Sequence, residues 1–244
     1  MSYKIDLLRE FYNTIDTTKV KIETGFRGLH YCSELNRIAN LDYLAFENKI
    51  CKYRISALSP ESFNKFLEQH IAKMINLCAY FSPEQNSVFA FNLDIANTVD
   101  NDLKVYASYL FKNMLLFGFY PLIIKSGHGY HFWCKINEPV SNIKLRAFMK
   151  YVRDKATKDI INKGINTDVL RCTCYPRLNT GDISIRLFGS THVTTGCFSN
   201  IVTRIGATDT ILDEFNSWRF FESYLLKCCI PTSVFLNTCN EIGI

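Results

Sequence analysis

Asn92 and Asp94 close an apolar run, Ser87-Val88-Phe89-Ala90-Phe91-Asn92-Leu93-Asp94. On an extended strand, residues two apart face the same side with Cα atoms about 6.5 Å apart, so this pair could serve one metal ion. The competing reading is a strand-end aspartate that caps the following helix. Further on comes Lys125-Ser126-Gly127-His128-Gly129-Tyr130-His131. Its two glycines expose main-chain N–H groups to a polyanion, while Lys125, Ser126 and His131 supply a charge, a hydroxyl and an imidazole, the chemistry of a phosphate cradle. A plain hairpin turn has the same local signature. Asp168 opens the stretch Asp168-Val-Leu-Arg-Cys-Thr-Cys174, and Asp182 to His192 carries Arg186, Ser190 and His192 through another glycine turn. A guanidinium offers a fixed fork of donors suited to phosphate, and Gly189-Ser190 offers backbone and hydroxyl donors beside it. A simple strand-turn-strand competes with that reading.

The elements that must position these residues follow from periodicity. Residues 3 to 15 place Leu7, Leu8, Phe11, Tyr12 and Ile15 at helical spacing, and 18 to 57 read as strands and loops of an N-terminal α/β module. Ser59-Pro60 starts a long helix that carries Phe63, Phe66, Leu67, His70, Ile71, Met74, Leu77 and Cys78, with His70 read as a satisfied core histidine. The strand ending at Asp94 precedes a helix entered near Thr98 or Asp100 and stopped at Gly118. Tyr120–Ile124 and Tyr130–Ile136 form the hairpin arms, and Ser141 leads into a helix with Leu145, Phe148, Met149 and Val152 inside and Lys144, Arg146, Lys150, Arg153 and Lys155 outside. Asp168–Cys174 closes a β-α-β-β-α-β unit. In that unit the third strand lies between the first two and the fourth lies outside the first. Asp94, Ser126, His131 and Asp168 are therefore expected at one edge of the sheet. Phe198 to Ile205 reads as a strand and Asp209 to Tyr224 as a helix, whereas the tail from Pro231 shows no clear pattern.

The chain has 244 residues, 48% of them hydrophobic, enough for a sizeable core in one large domain or two joined modules. Its net charge of +5 suits a partner made of phosphates. The longest apolar run, Met114 to Ile124, is too short to cross a bilayer, so no membrane partner is expected. Without a secretory h-region near the N-terminus, the expected address is cytoplasmic. The ten cysteines are scattered through apolar segments, as reduced thiols usually are. Cys172, Cys174, His192, Cys197, Cys228 and Cys229 contain no CxxC and match no common zinc spacing, so zinc is not expected.

Asn92-Leu-Asp94 after an apolar strand, then Ser126-Gly-His-Gly-Tyr-His131, then Asp168 and Arg186-Leu-Phe-Gly-Ser190-Thr-His192 resembles the three-motif pattern of the archaeo-eukaryotic primase superfamily, the prim-pol enzymes. The match spans about residues 85 to 200. The resemblance implies an RRM-like β-α-β-β-α-β catalytic core fused to an N-terminal α/β module, here 85–244 and 1–84 within one domain spanning 1–244. It implies template-directed nucleotidyl transfer with two Mg²⁺ or Mn²⁺ ions. Asn92, Asp94 and Asp168 would hold metal, and Asp94, Asp168 and His131 would serve catalysis. Lys125, Ser126, Gly129, His131, Arg186, Ser190 and His192 would bind the nucleotide. The implied partners are a single-stranded DNA template, a primer strand and nucleoside triphosphates, with helicase, other replication or CRISPR-associated domains left open. Two departures stand out. Asn92 occupies the place of the first acid, where an amide is the poorer ligand, and Phe188 stands where proline is common in the arginine-leucine-proline-glycine-serine turn.

Two other readings remain from other classes. A rolling-circle initiator needs metal histidines one residue apart on a strand, but His128 and His131 are three apart and fall on opposite faces. An RRM-like module that binds single strands without chemistry stays open, because Asn92 weakens the metal set.

Overall fold

Alternating and continuous apolar runs become the strands of two larger antiparallel sheets and a two-stranded ribbon, and terminal polar signals become helix caps. In chain order the elements are α1 (Ser2–Phe11), β1 (Ile15–Gly25), β2 (Leu41–Glu47), β3 (Ile50–Ile55), α2 (Pro60–Ile71), β4 (Asn76–Phe81), β5 (Gln85–Ile95), α3 (Asp100–Leu115), β6 (Leu122–Ser126), β7 (Gly129–Ser141), α4 (Asn142–Ile161), β8 (Leu170–Tyr175), β9 (Ile185–Arg186), β10 (Val202–Arg204), β11 (Thr210–Ile211), α5 (Glu214–Lys227) and α6 (Thr232–Glu241). The structure is a computed structural model and describes residues 2–25, 41–47, 50–95, 100–127, 129–167, 170–177, 184–192 and 196–244. The fold is mixed α+β, and the chain divides into two units, Met1–Ser82 with Asn179–Ser199 and Pro83–Leu178 with Asn200–Ile244.

The first unit carries a five-stranded antiparallel sheet ordered β2-β3-β1-β4-β9. Phe11, Phe63, Phe66 and Leu67 of its two helices are buried, as are Val20, Ile22, Ile55 and Leu77 of the sheet. The first helix is shorter than its spacing predicts: it stops at Phe11, and Ile15 opens β1 opposite Phe81. In α2, Ser59 accepts the Ser62 N–H at 3.1 Å and Pro60 sits in the first turn, as the capping signal requires. The helix does not run through Cys78 as the apolar spacing suggests. It ends at Ile71, Lys73 reverses the chain at φ 61°, and Leu77 and Cys78 belong to β4. A short, fully apolar stretch satisfies either period, and burial on both sides of β4 selects the strand. His70 is fully buried, accepts the Leu77 N–H on Nδ1 at 3.3 Å and donates from Nε2 to the Phe188 carbonyl at 2.9 Å. Burial pushes its pKa below the ordinary histidine value and keeps the ring neutral.

The second unit holds a four-stranded sheet ordered β6-β7-β5-β8, with every neighbouring pair antiparallel. Its core gathers Phe89, Phe91 and Leu93 of β5, Tyr130, Phe132 and Cys134 of β7, Leu103, Tyr106 and Leu110 of α3, and Leu145, Phe148 and Val152 of α4. Phe148 lies at the centre, with ring centroids 5.2 Å from Phe119, 5.3 Å from Phe235 and 5.9 Å from Phe89. Ser141 caps α4 by accepting the Ile143 N–H at 3.2 Å. The tail that shows no pattern in sequence forms α6, whose Phe235 and Cys239 join this core. Asp213 caps α5, so the helix begins later than Asp209, after the short β10–β11 ribbon. Phe198 to Ile205 yields only Val202–Arg204 as strand, flanked by isolated bridges from Phe198 to Thr191 and from Ile201 to Ile124. Among the described residues no helix is long and apolar enough to cross a membrane.

Candidate functional site

The two-residue period of β5 sends its side chains to opposite sides. Phe89, Phe91 and Leu93 enter the helix-backed core, so Val88, Ala90, Asn92 and Asp94 take the other face. Along that face exposure rises toward the C-terminal end of the strand: Val88 and Ala90 are fully buried, Asn92 is half-buried and Asp94 is exposed. The polar pair therefore sits where the sheet meets solvent.

Register brings other polar residues to the same place. Asn92 lies opposite His131, and His131 lies opposite Ile124 of β6. Directly opposed residues on an antiparallel pair have Cβ atoms about 5 Å apart, which puts the Asn92 amide beside the imidazole. Ser126 ends β6 opposite Gly129, the first residue of β7. A Cβ on Gly129 would overlap the Leu93 carbonyl oxygen and press on the Asp94 Cα, so only glycine lets β7 approach β5 this closely. Gly127 turns the chain between Ser126 and Gly129 at φ 63°. The outer side of β6 is held by the Lys125 N–H, which donates to the Asn200 carbonyl at 2.8 Å. Ser126 and His131 are 8% and 5% exposed, so the hydroxyl and the imidazole are held rather than loose.

Lys125 behaves differently from its neighbours. It pairs with Tyr130 in the register, and its Nζ lies 4.1 Å from the centroid of the Tyr130 ring. Tyr130 belongs to the core and donates its hydroxyl to Asp209 Oδ2 at 2.5 Å. The ammonium thus lies on the helix side of the sheet, away from the face that holds Ser126, His131, Asn92 and Asp94.

Two residues on that face escape notice in the sequence. Arg171 lies opposite Asp94 and Thr173 opposite Asn92, whereas their neighbours Leu170, Cys172 and Cys174 pack against the core. Strand alternation within Asp168–Cys174 would have found them once the pairing with β5 was known. The row across the sheet is Thr173, Asn92, His131, Ile124, and the next row is Arg171, Asp94, Gly129, Ser126. Asp168 lies outside the described residues, as do His128 and Asp182.

Arg186, Ser190 and His192 belong to the first unit. Arg186 on β9 pairs with Cys78, and its Nη1 lies 3.9 Å from Glu23 Oε2, while Lys21 Nζ approaches the other oxygen of Glu23 at 3.4 Å. Ser190 is 1% exposed, with its Oγ 2.9 Å from Ser199 Oγ. Asn76 grips the adjacent backbone from both sides, accepting the Thr191 N–H at 2.9 Å and donating to the Thr191 carbonyl. The His192 N–H donates to the Cys197 carbonyl at 2.8 Å. The Gly189-Ser190 turn, at φ 92° on the glycine, is therefore a braced piece of structure.

A divalent cation is what the resemblance would place here. The described donors on this face are one carboxylate, Asp94, and one amide oxygen, Asn92, with His131 beside them. The oxygen donors are of the kind a hard cation takes, and they share one face, but a single charge is a thin set. Among the described residues no group of three or more His, Cys, Asp or Glu stands ready to hold a metal. The eight described cysteines are free thiols.

No protein-family profile matches the chain, and no curated protein does. Among solved structures, the polymerase domain of ligase D from Mycobacterium tuberculosis, in complex with DNA, is 13% identical with a TM-score of 0.47, and the match covers 99% of this chain and 88% of that one.

Proposed function

We propose that the chain is a nucleotidyltransferase of the prim-pol kind, extending or making primers on a single-stranded DNA template from nucleoside triphosphates. The observation that carries this reading is the polar end of the second unit's sheet. Asn92 and Asp94 share one face with His131 and Ser126, at the mouth of a glycine turn, on an RRM-like strand order of second, third, first, fourth. Asp94 with Asn92, together with Asp168, would hold Mg²⁺ or Mn²⁺. When bound, such an ion offsets the negative charge of a triphosphate and of a developing alkoxide. Ser126 and His131 would donate to phosphate oxygens from fixed positions, and Gly129 would leave main-chain N–H groups open to them. Arg171 adds a cation on the same face that suits a phosphate of nucleotide or primer. Roles for Arg186, Ser190 and His192 rest on the sequence pattern alone.

An RRM-like module without chemistry would read bases by stacking them on exposed aromatic rings of its sheet. On this face the aromatic pair flanking Ala90 is Trp133 and Tyr175, at 0% and 7% exposure, which favours the catalytic reading. Extension of a labelled primer on a template, with Mg²⁺ or Mn²⁺, tests it. Incorporation is expected from the chain as it stands, to rise in Asn92→Asp, and to fall about a thousandfold in Asp94→Ala and in Asp168→Ala with template binding kept. No incorporation by the chain or by Asn92→Asp would leave only the binding module.

A further inference from the structure

Behind the candidate site, on the opposite face of the same sheet, lies a pair of thiols that the proposed chemistry does not use. Cys172 and Cys174 are two apart on β8, point toward the helix side of the sheet, and are each half-buried. Their thiols hydrogen-bond to each other, and Cys172 also meets the Tyr106 hydroxyl, which is itself 2.7 Å from Thr157 Oγ1. Arg153 and Arg177 contribute positive charge near Cys174, and Asp154, paired with Arg153 at 2.7 Å, opposes them. The Cys172 hydrogen bond and the arginines lower the Cys174 pKa, whereas donating that bond and being buried raise that of Cys172. Cys174 is thus the more acidic of the two thiols, with Cys172 beside it on the same face of β8.

We propose that Cys172 and Cys174 form a reversible dithiol–disulfide site on β8, and that its closure is felt at Asn92 and Asp94 of β5 through the ladder that joins the two strands. The oxidant class is a low-molecular-weight disulfide. The Cys174 thiolate attacks one of its sulfurs, forming a mixed disulfide and expelling a thiolate. Cys172 then gives up its proton to solvent base and attacks Sγ of Cys174, forming the intramolecular bond and releasing the second small thiolate. Two protein thiols are oxidised and one small disulfide is reduced to two thiols.

Geometry supplies the coupling. Strand residues two apart have Cα atoms about 6.6 Å apart, longer than the roughly 5.5–6 Å a disulfide prefers, so closing the bond pulls on β8 at Thr173. Thr173 is the residue opposite Asn92, and Arg171 is opposite Asp94. Among the described residues β8 is hydrogen-bonded within its sheet to β5 alone, so it can yield, and the ladder it disturbs is the one that sets the polar face.

Trypsin releases both residues in one peptide, Cys172–Arg177, which makes the test direct. The full chain is equilibrated with oxidised glutathione, free thiols are alkylated, and the peptide is weighed. The expected product is the peptide lighter by two hydrogen atoms, restored by dithiothreitol, with Cys174 alkylated about tenfold faster than buried Cys134 or Cys239 in the reduced chain. In Cys172→Ser the product should instead be a glutathione adduct on Cys174, and Cys197→Ser should leave the disulfide unchanged. A Cys172–Arg177 peptide that stays reduced, or that carries only glutathione in the unaltered chain, would overturn the site. Amide hydrogen exchange at Asn92 and Thr173 reads the coupling: about tenfold faster exchange in the oxidised chain is expected, and equal exchange in both forms would overturn it. Neither readout depends on polymerase activity, so failure here and failure of the proposed function are separable.

Discussion

The two faces of the β6-β7-β5-β8 sheet are made from the same strands and do opposite things. On the helix side, Phe89, Phe91, Leu93, Tyr130 and Phe132 are all fully buried in an aromatic core. On the other side, the same strands end in Asn92, Asp94, His131, Ser126 and Arg171. A period of two lets one strand pack a core on one face and present polar side chains on the other with no residue shared between them. Substitutions should therefore separate by parity: on one face they should unfold the unit, and on the other they should remove activity from a folded chain.

The sharpest test of that parity is Asp94→Ala, expected to lower nucleotide incorporation about a thousandfold while shifting unfolding free energy by no more than about 0.5 kcal/mol, by denaturant titration. Phe148→Ala, on the core side, should cost about 3–5 kcal/mol in the same titration, because a fully buried ring touching Phe89, Phe119 and Phe235 is deleted. Equal stability losses from the two would break the comparison. Gly129→Ala should violate it by design: the added Cβ meets the Leu93 carbonyl, so both stability, by about 1–3 kcal/mol, and incorporation should fall.

The smallest effect concerns His70, a polar residue that serves only the fold. Burial lowers its folded pKa beneath that of the unfolded chain, so below about pH 6.5 the unfolded state takes up a proton that the folded state refuses. Stability should be level above that pH and fall by at most about 1.4 kcal/mol per unit as pH drops through the window between the two values. In His70→Gln that slope should flatten, measured as unfolding free energy between pH 7 and pH 5. An unchanged slope would assign the acid sensitivity to other groups.

Much of this arrangement was legible beforehand, and the misses have physical causes. The alternation through Ser87–Asp94, the Ser59-Pro60 cap and the Gly127–Gly129 turn each carry a local signal strong enough to place an element. The order β6-β7-β5-β8 follows from connection rules applied to those elements. Leu77 and Cys78 fit a helical spacing as well as a strand because a short apolar run satisfies either period, and tertiary burial decides it. Lys125 and Ser126 are adjacent in sequence, but consecutive strand residues point to opposite faces. The placing of Arg171 and Thr173 beside Asp94 and Asn92 is not legible in the sequence, because register is a property of two strands and no single segment encodes it. The burial of Ser190 against Ser199 was likewise invisible, since a glycine-serine turn looks the same whether its hydroxyl faces solvent or structure.

The central claim is that one end of this sheet face receives a cation-bound nucleotide. Titrating the isotope-labelled chain with Mn²⁺ and a non-hydrolysable nucleoside triphosphate, and mapping the paramagnetic broadening of backbone amides, tests it most directly. Broadening should concentrate at Asn92, Asp94, Gly129, His131 and Ser126 and be lost in Asp94→Ala. Broadening centred elsewhere, or unaltered by that substitution, would contradict the account.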